Sequence, residues 1–177
     1  MDFTVIDSKT CFQGKIMDVR KDRIRFDNGV EADREVVVKH HEATAIIALD
    51  EQEKLLMVEQ YRYGTGQVML EIPAGLVDPG EDYEACARRE LEEETGYRAG
   101  RLVRMFDYYA TPGYCSEKIV LYFATDLVKT QQHLDVDEFL SVQRYSLDEA
   151  IRKIEQGEIT DGKTIAAIFA AQVYCKR

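Results

Sequence analysis

The chain has 177 residues, of which 45% are hydrophobic and 32% charged, the profile of one soluble folded domain with room for a small appendage. Its 23 basic and 33 acidic side chains leave a formal charge of −10, which opposes binding to nucleic acid or to an anionic membrane, since both need basic patches. The opening MDFTVIDSKT has no basic stretch followed by an apolar one, and the longest apolar runs, such as Ala45–Leu49, are too short to span a bilayer. A cytoplasmic protein without a membrane anchor is therefore expected.

The first forty residues read as strands. Arg23–Phe26 alternates polar and apolar, and Asp27-Asn28-Gly29 is a hairpin turn signal. A three-stranded sheet of this length has one apolar face and little core of its own, so it needs another surface to cover it. From about Ala43 the units lengthen. ATAIIAL and KLLMVEQYR form a strand pair around the turn Asp50–Glu53, and QVMLEIPAG is a further strand ending in Pro-Ala-Gly. EDYEACARRELEEETG is a helix, with Glu81 and Asp82 at its positive end and Gly96 as a stop. Lys118–Leu127 and Phe139–Tyr145 are strands. Ser146 with Glu149 makes a capping box that opens one closing helix, and DGKTIAAIFAAQVY is another. Mixed strands and helices point to an α/β sandwich.

The cysteines Cys11, Cys86, Cys115 and Cys175 make no C-x-x-C pair, and His40, His41 and His133 show no ligand spacing, so neither a zinc nor a redox site is expected. The acidic run in RRELEEETG is different. With Glu90 at zero on a helical wheel, Glu94 falls at about +40° and Glu93 at about −60°, whereas Glu92 lies at about 200° and faces away. Three carboxylates on one arc repel one another in water, but they supply the hard oxygen ligands that Mg²⁺ takes. Arg89 adjoins the arc and can hold one glutamate by a charge-assisted bond.

Gly75–Tyr97, GLVDPGEDYEACARRELEEETGY, resembles the Nudix box of the Nudix hydrolases. The fixed positions are filled by Gly75, Glu81, Arg89, Glu90, Leu91, Glu93, Glu94 and Gly96, and the departure is Tyr97 where an aliphatic residue is commoner. The resemblance implies a Nudix α/β/α sandwich with a mixed sheet over residues 41–177. Residues 1–40 would be a small N-terminal antiparallel β-sheet domain serving dimerisation and as a substrate lid. It implies Mg²⁺, with Mn²⁺ as the alternative, held by Glu90, Glu93 and Glu94 with Glu81 nearby. Glu93 and Arg89 would also serve the catalytic step.

Outside the box, Leu70–Gly75, Glu59–Arg62 and Thr111–Glu117 resemble ADP-ribose pyrophosphatases, including a proline at the position of Pro112. That likeness implies the Ala74 carbonyl as a metal ligand, Glu117 as general base, and substrate contacts from Arg62, Glu71 and Pro112. An aromatic from the N-terminal strands, Phe3 or Phe12, would stack on adenine. The expected partners are a nucleoside diphosphate sugar and a second copy of the chain in a homodimer formed through the N-terminal strands. Hydrolysis of ADP-ribose to AMP and ribose 5-phosphate is the leading expectation. GDP-mannose or ADP-glucose are the alternatives, and a non-catalytic ligand sensor is disfavoured by the intact carboxylates. Tyr114 lies in a region where diadenosine-polyphosphate Nudix enzymes favour a tyrosine, which weighs against ADP-ribose; three separate segments weigh for it.

Overall fold

The computed structural model describes residues 2–134, 136 and 138–175. They divide into two compact units: the chain up to Glu42 together with Tyr108–Ile119, and Ala43–Asp107 together with the chain from Val120 on.

The first unit is built on β1 (Phe3–Gln13), β2 (Met17–Phe26) and β3 (Glu31–Lys39), an antiparallel sheet in that order. Gly29 turns the β2–β3 hairpin at φ 82, a backbone state open to glycine at no steric cost, as the Asp-Asn-Gly pattern predicts. β1 is exposed along its whole length, and in the other two strands only Asp22 and Ile24 are buried. The thin core foreseen from the sequence is what the structure has. Asp22 tolerates burial because Ser8 Oγ donates to it at 2.6 Å and Arg20 at 3.0 Å. In the same unit the Thr111 carbonyl accepts from the amides of Tyr114 and Cys115, closing a turn over Pro112 and Gly113. The chain then lies along β3, with Val37 N donating to Tyr114 O at 2.7 Å and Ser116 N to Val37 O at 2.9 Å.

The second unit holds a sheet of seven strands. β10 (Leu140–Ser146), β5 (Lys54–Arg62), β4 (Ala43–Leu49), β9 (Lys118–Lys129) and β8 (Tyr97–Tyr109) follow one another, with β6 (Gln67–Glu71) on β5 and β7 (Ala74–Leu76) on β4. Thr44 to Ala48 are all buried, although successive side chains on a strand point to opposite faces, so this sheet is covered on both. On one face Ile46, Ala48 and Leu56 pack with Ala87 and Leu91 of α1 (Tyr83–Thr95). α3 (Gly162–Tyr174) also packs on β4, and α2 (Leu147–Glu155) packs on α3 and β10. The capping box predicted at Ser146 is present, and its bonds hold the Glu149 carboxyl down at about 2. No helix among the described residues is long and apolar enough to cross a membrane.

Two expectations need correction. QVMLEIPAG is not one strand: it breaks at Ile72-Pro73, because proline has no N–H to continue the ladder, and its halves pair with different neighbours. Tyr97–Tyr109, given no element from the sequence, is the 13-residue strand β8. It borders the sheet and buries only Ala99, so its apolar alternation is faint.

Candidate active site

The site grows from the two ends of α1 and the turn that faces it. Asp82 caps the helix by accepting from Ala85 N at 2.8 Å, and Gly96 closes it at φ 70 with its N–H on Glu92 O. Between them Cys86, Ala87 and Leu91 point into the sheet, and Glu90 and Glu94 sit on the adjoining stripe, 9% and 2% exposed. Residues 73–75 press against those two acids. Pro73 O is anchored by Ile46 N at 2.8 Å, and Ala74 N donates to Glu94 Oε2 at 3.3 Å. A Cβ on Gly75 would lie 2.0 Å from Glu90 Cδ and Oε1, so only glycine leaves the carboxylate its place.

Arg89 organises more than the one glutamate expected of it. Its Nε and Nη2 donate to Glu81 at 3.0 and 2.9 Å, and Nη1 donates to Glu90 Oε1 at 2.6 Å and to Glu93 Oε2 at 3.0 Å. Nη2 also donates to the Leu76 carbonyl at 3.1 Å, tying helix to turn. The bond to Arg89 holds the Glu81 carboxyl below its usual range. Glu92 does turn away from this group, but it is not simply solvated: Arg98 of β8 binds both its oxygens at 3.1 and 2.9 Å and lowers its pKa.

Glu90 and Glu94 behave oppositely to Glu81. Burial pushes Glu90 up to about 7 against the pull of Arg89, and burial, then Glu90, then Glu138 push Glu94 up to about 8. Arg89 is shared by three carboxylates and donates nothing to Glu94, on which Arg62 acts only as a nearby charge, so the pair is short of positive charge. Glu90 Oε1 is taken by Arg89 and Glu94 Oε2 by Ala74 N, whereas Glu90 Oε2 and Glu94 Oε1 accept no hydrogen bond from the described residues. Two hard oxygens in a charge-deficient setting fit a divalent cation such as Mg²⁺. Among the described residues no three acidic, histidine or cysteine side chains converge into a ready metal cluster, because Arg89 draws Glu81 and Glu93 to itself. Waters and substrate oxygens would have to complete such a shell.

The remaining candidates fall in different places. Arg62 Nε and Nη2 grip Glu71 at 2.8 and 2.7 Å. The Arg62 pKa is raised, first by Glu71 and also by the nearby charges of Glu94 and Asp161. Glu71, expected to touch substrate, is 1% exposed and accepts from both Arg62 and Lys163. Pro112 and Glu117 belong to the first unit, where Glu117 pairs with Lys39 at 3.4 Å. Sequence reasoning missed Glu138, whose charge bears on both Glu90 and Glu94, and Lys163. Glu138 stands just before β10, outside any motif, and only the fold brings its charge to bear on α1.

Residues 39–168 match the NUDIX domain, and residues 3–37 match the nucleoside diphosphate sugar hydrolase N-terminal domain. The chain belongs to the Nudix hydrolases, and is an enzyme of that family. More narrowly, it is 37% identical over 170 residues to an ADP-ribose pyrophosphatase of Bacillus subtilis, covering 95% of this chain and 91% of that one. It is 38% identical over 170 residues, with the same coverage, to a methanol dehydrogenase activator of Bacillus methanolicus. A GDP-mannose pyrophosphatase of Yersinia pestis is 32% identical over 163 residues, 85% of this chain and 81% of that one. The crystal structure of an ADP compounds hydrolase superposes with a TM-score of 0.90 at 26% identity, over 99% of this chain and 95% of that one. The Nudix fold expected from the sequence, with a mixed sheet and a small N-terminal antiparallel sheet, is thereby established.

Proposed function

We propose that the protein is a cytoplasmic, Mg²⁺-dependent pyrophosphatase that hydrolyses ADP-ribose to AMP and ribose 5-phosphate. The observation that carries the chemistry is the pair of open oxygens, Glu90 Oε2 and Glu94 Oε1, on acids that burial holds at about 7 and about 8. The residues to hold the ion are Glu90, Glu94 and the Ala74 carbonyl, with Glu93 and Glu81 kept close by Arg89. When bound, Mg²⁺ supplies neutralisation of the diphosphate and acidification of a water. In the reaction one P–O–P bond breaks, the water oxygen forms the new P–O bond, and its proton passes to a carboxylate.

Two carboxylates are candidates for that base. Glu117 follows from the sequence resemblance. Glu138 is supported by its charge bearing on both Glu90 and Glu94 within the same unit. Arg62, with Nη1 free of hydrogen bonds to the described residues, is the phosphate contact. The choice of ADP-ribose rests on likeness to the Bacillus subtilis enzyme over 95% of the chain, and the Yersinia relative keeps GDP-mannose as the second reading. A homodimer is supported by β1, whose Phe3, Val5 and Phe12 are each at least half exposed on a sheet with almost no core.

The test is a phosphate-release screen of the purified protein against ADP-ribose, GDP-mannose and ADP-glucose with Mg²⁺, the products being cleaved by an added phosphomonoesterase. Highest kcat/KM on ADP-ribose supports the proposal, preference for GDP-mannose moves it to the second reading, and hydrolysis of none sinks both.

A further inference from the structure

The first turn of α3 carries a half-buried ionic chain behind Arg62 in which Lys163 and Asp161 have had no role above. Lys163, its side chain 13% exposed, donates to Glu71 Oε2 and, at 3.0 Å, to Asp161 Oδ2. Asp161 is the N-cap of α3; the same oxygen accepts from Thr164 N at 2.9 Å and Thr164 Oγ1 at 2.6 Å. Thr164 Oγ1 in turn accepts from Ile72 N at 2.9 Å. Consecutive residues Glu71 and Ile72 are thus clamped by one helix turn, immediately before the Pro73–Gly75 segment that presses on Glu90 and Glu94.

We propose that Lys163 is a positioning residue: it fixes Glu71, and through Glu71 holds the Arg62 guanidinium in the orientation that receives a substrate phosphate. This rests on the reading of the protein as a nucleoside diphosphate sugar pyrophosphatase. Glu71 spends both oxygens on the Nε–Nη2 edge of Arg62, so Nη1 is the corner left for an incoming anion. Oε2 is shared between Arg62 Nη2 and Lys163 Nζ. That sharing has two consequences. It stops the carboxylate from swinging, which sets the plane of the bidentate guanidinium. It also offsets the charge of Glu71, so Arg62 is not neutralised one to one by its holder and keeps attraction for phosphate. Asp161 is compensated in its turn by the amide of the helix N-terminus, which favours a negative cap. Arg62 is 38% exposed while Glu71 and Lys163 are not, so the chain ends in a single cation open to solvent.

Lys163→Met, Lys163→Gln and Lys163→Arg, each also combined with Arg62→Ala, test the assignment with the full-length protein. Affinity for ADP-ribose is read calorimetrically in EDTA, KM and kcat with Mg²⁺, and folding by the melting temperature. Loss of the clamp predicts that Lys163→Met and Lys163→Gln raise Kd and KM about tenfold with kcat within about twofold, the scale of one weakened charge-assisted bond. Lys163→Arg restores most of the loss, and in the Arg62→Ala background removing Lys163 changes Kd and KM no further. Unchanged Kd and KM in a folded variant overturns the proposal, and so does an equal increase with and without Arg62. A wild-type protein that neither binds nor hydrolyses ADP-ribose or GDP-mannose overturns the functional reading along with it, whereas normal wild-type turnover with an unaffected Lys163→Met overturns the proposal alone.

Discussion

Gly75→Ala isolates the contact on which the acidic pair depends. Gly75 is not among the glycines with positive φ, so a methyl group there meets no backbone penalty, and its cost must come from what it strikes. The new Cβ would stand 2.0 Å from Glu90 Cδ and Oε1, and ordinary contact begins at 3.4 Å, so the carboxylate must withdraw by 3.4 − 2.0 = 1.4 Å. Withdrawal strains the 2.6 Å bond from Arg89 Nη1 and displaces Oε2, which stands within 2.3 Å of the same Cβ position. Overpacking of this kind costs about 1–3 kcal/mol, and about 2 kcal/mol is expected here because the obstacle is a side-chain terminus. In a chain of this size that is a fall of roughly 4–8 °C in melting temperature, measured in EDTA at pH 7.5. Removing the obstacle should remove the cost: in a Glu90→Ala background Gly75→Ala is expected within about 0.5 kcal/mol of neutral, or slightly stabilising through the unfolded chain. The same single substitution should shrink the rise in melting temperature that 10 mM Mg²⁺ gives the parent, on the order of a 2 kcal/mol effect if the ion stands at about 30–100 times its Kd. Equal destabilisation in both backgrounds would refute the reasoning, since the cost would then reside in the backbone and not in the carboxylate.

Arg89→Met removes the partner of three glutamates; discounted for an Arg89 side chain 30% exposed, a loss of about 2 kcal/mol in urea unfolding is expected, and Arg89→Lys should recover less than half because an ammonium cannot reach all three together. In EDTA, stability should fall as pH rises from about 5 to 8. Glu90 and Glu94 have folded pKa values raised from 4.5 to about 7 and about 8, so the folded state binds more protons through that window. Glu94→Gln should flatten this slope and Mg²⁺ should restore stability at the alkaline end; a melting temperature that climbs between pH 6 and 8 in EDTA contradicts it. For the base, Glu138→Gln and Glu117→Gln are to be compared in kcat at saturating Mg²⁺. The true base should lose about 100-fold or more, and the other should stay near the parent.

What the sequence disclosed and what it withheld divide along one physical line. The arc of Glu90, Glu93 and Glu94 could be read because helix geometry alone places them together, and Gly96 because a helix stop is local; Gly75 came from the resemblance, and its contact with Glu90 is visible only in the fold. The closing helices could be read from the capping box at Ser146 and from the apolar run DGKTIAAIFAAQVY, both of which are local. Nothing local, however, joins Lys163 to Glu71 across 92 positions, or brings Glu138 beside α1. β8 escaped for a related reason: an edge strand with one buried side chain carries little hydrophobic pattern, and its membership in the sheet is decided by its neighbour β9. Arg89 falls between the cases, since adjacency to the arc was visible but its reach to Glu81 and to the Leu76 carbonyl depends on how the loop before α1 folds back.

That reach of Arg89 also decides which acids are left for a cation. A guanidinium has five donors, and here they go to Glu81 twice, to Glu93, to one oxygen of Glu90 and to a backbone carbonyl. Had Arg89 spread itself over Glu94 as well, the four carboxylates would be more evenly compensated and the drive to bind a divalent ion would be weaker. With its donors on Glu81, Glu93 and one oxygen of Glu90 and none on Glu94, it leaves the deficit on Glu90 Oε2 and on Glu94, where burial makes an unbalanced charge most costly. The same residue that relieves the crowding of RRELEEETG therefore concentrates what remains of it at two oxygens, and the side chains best able to answer it, Arg62 and behind it Lys163, are held one step away by Glu71.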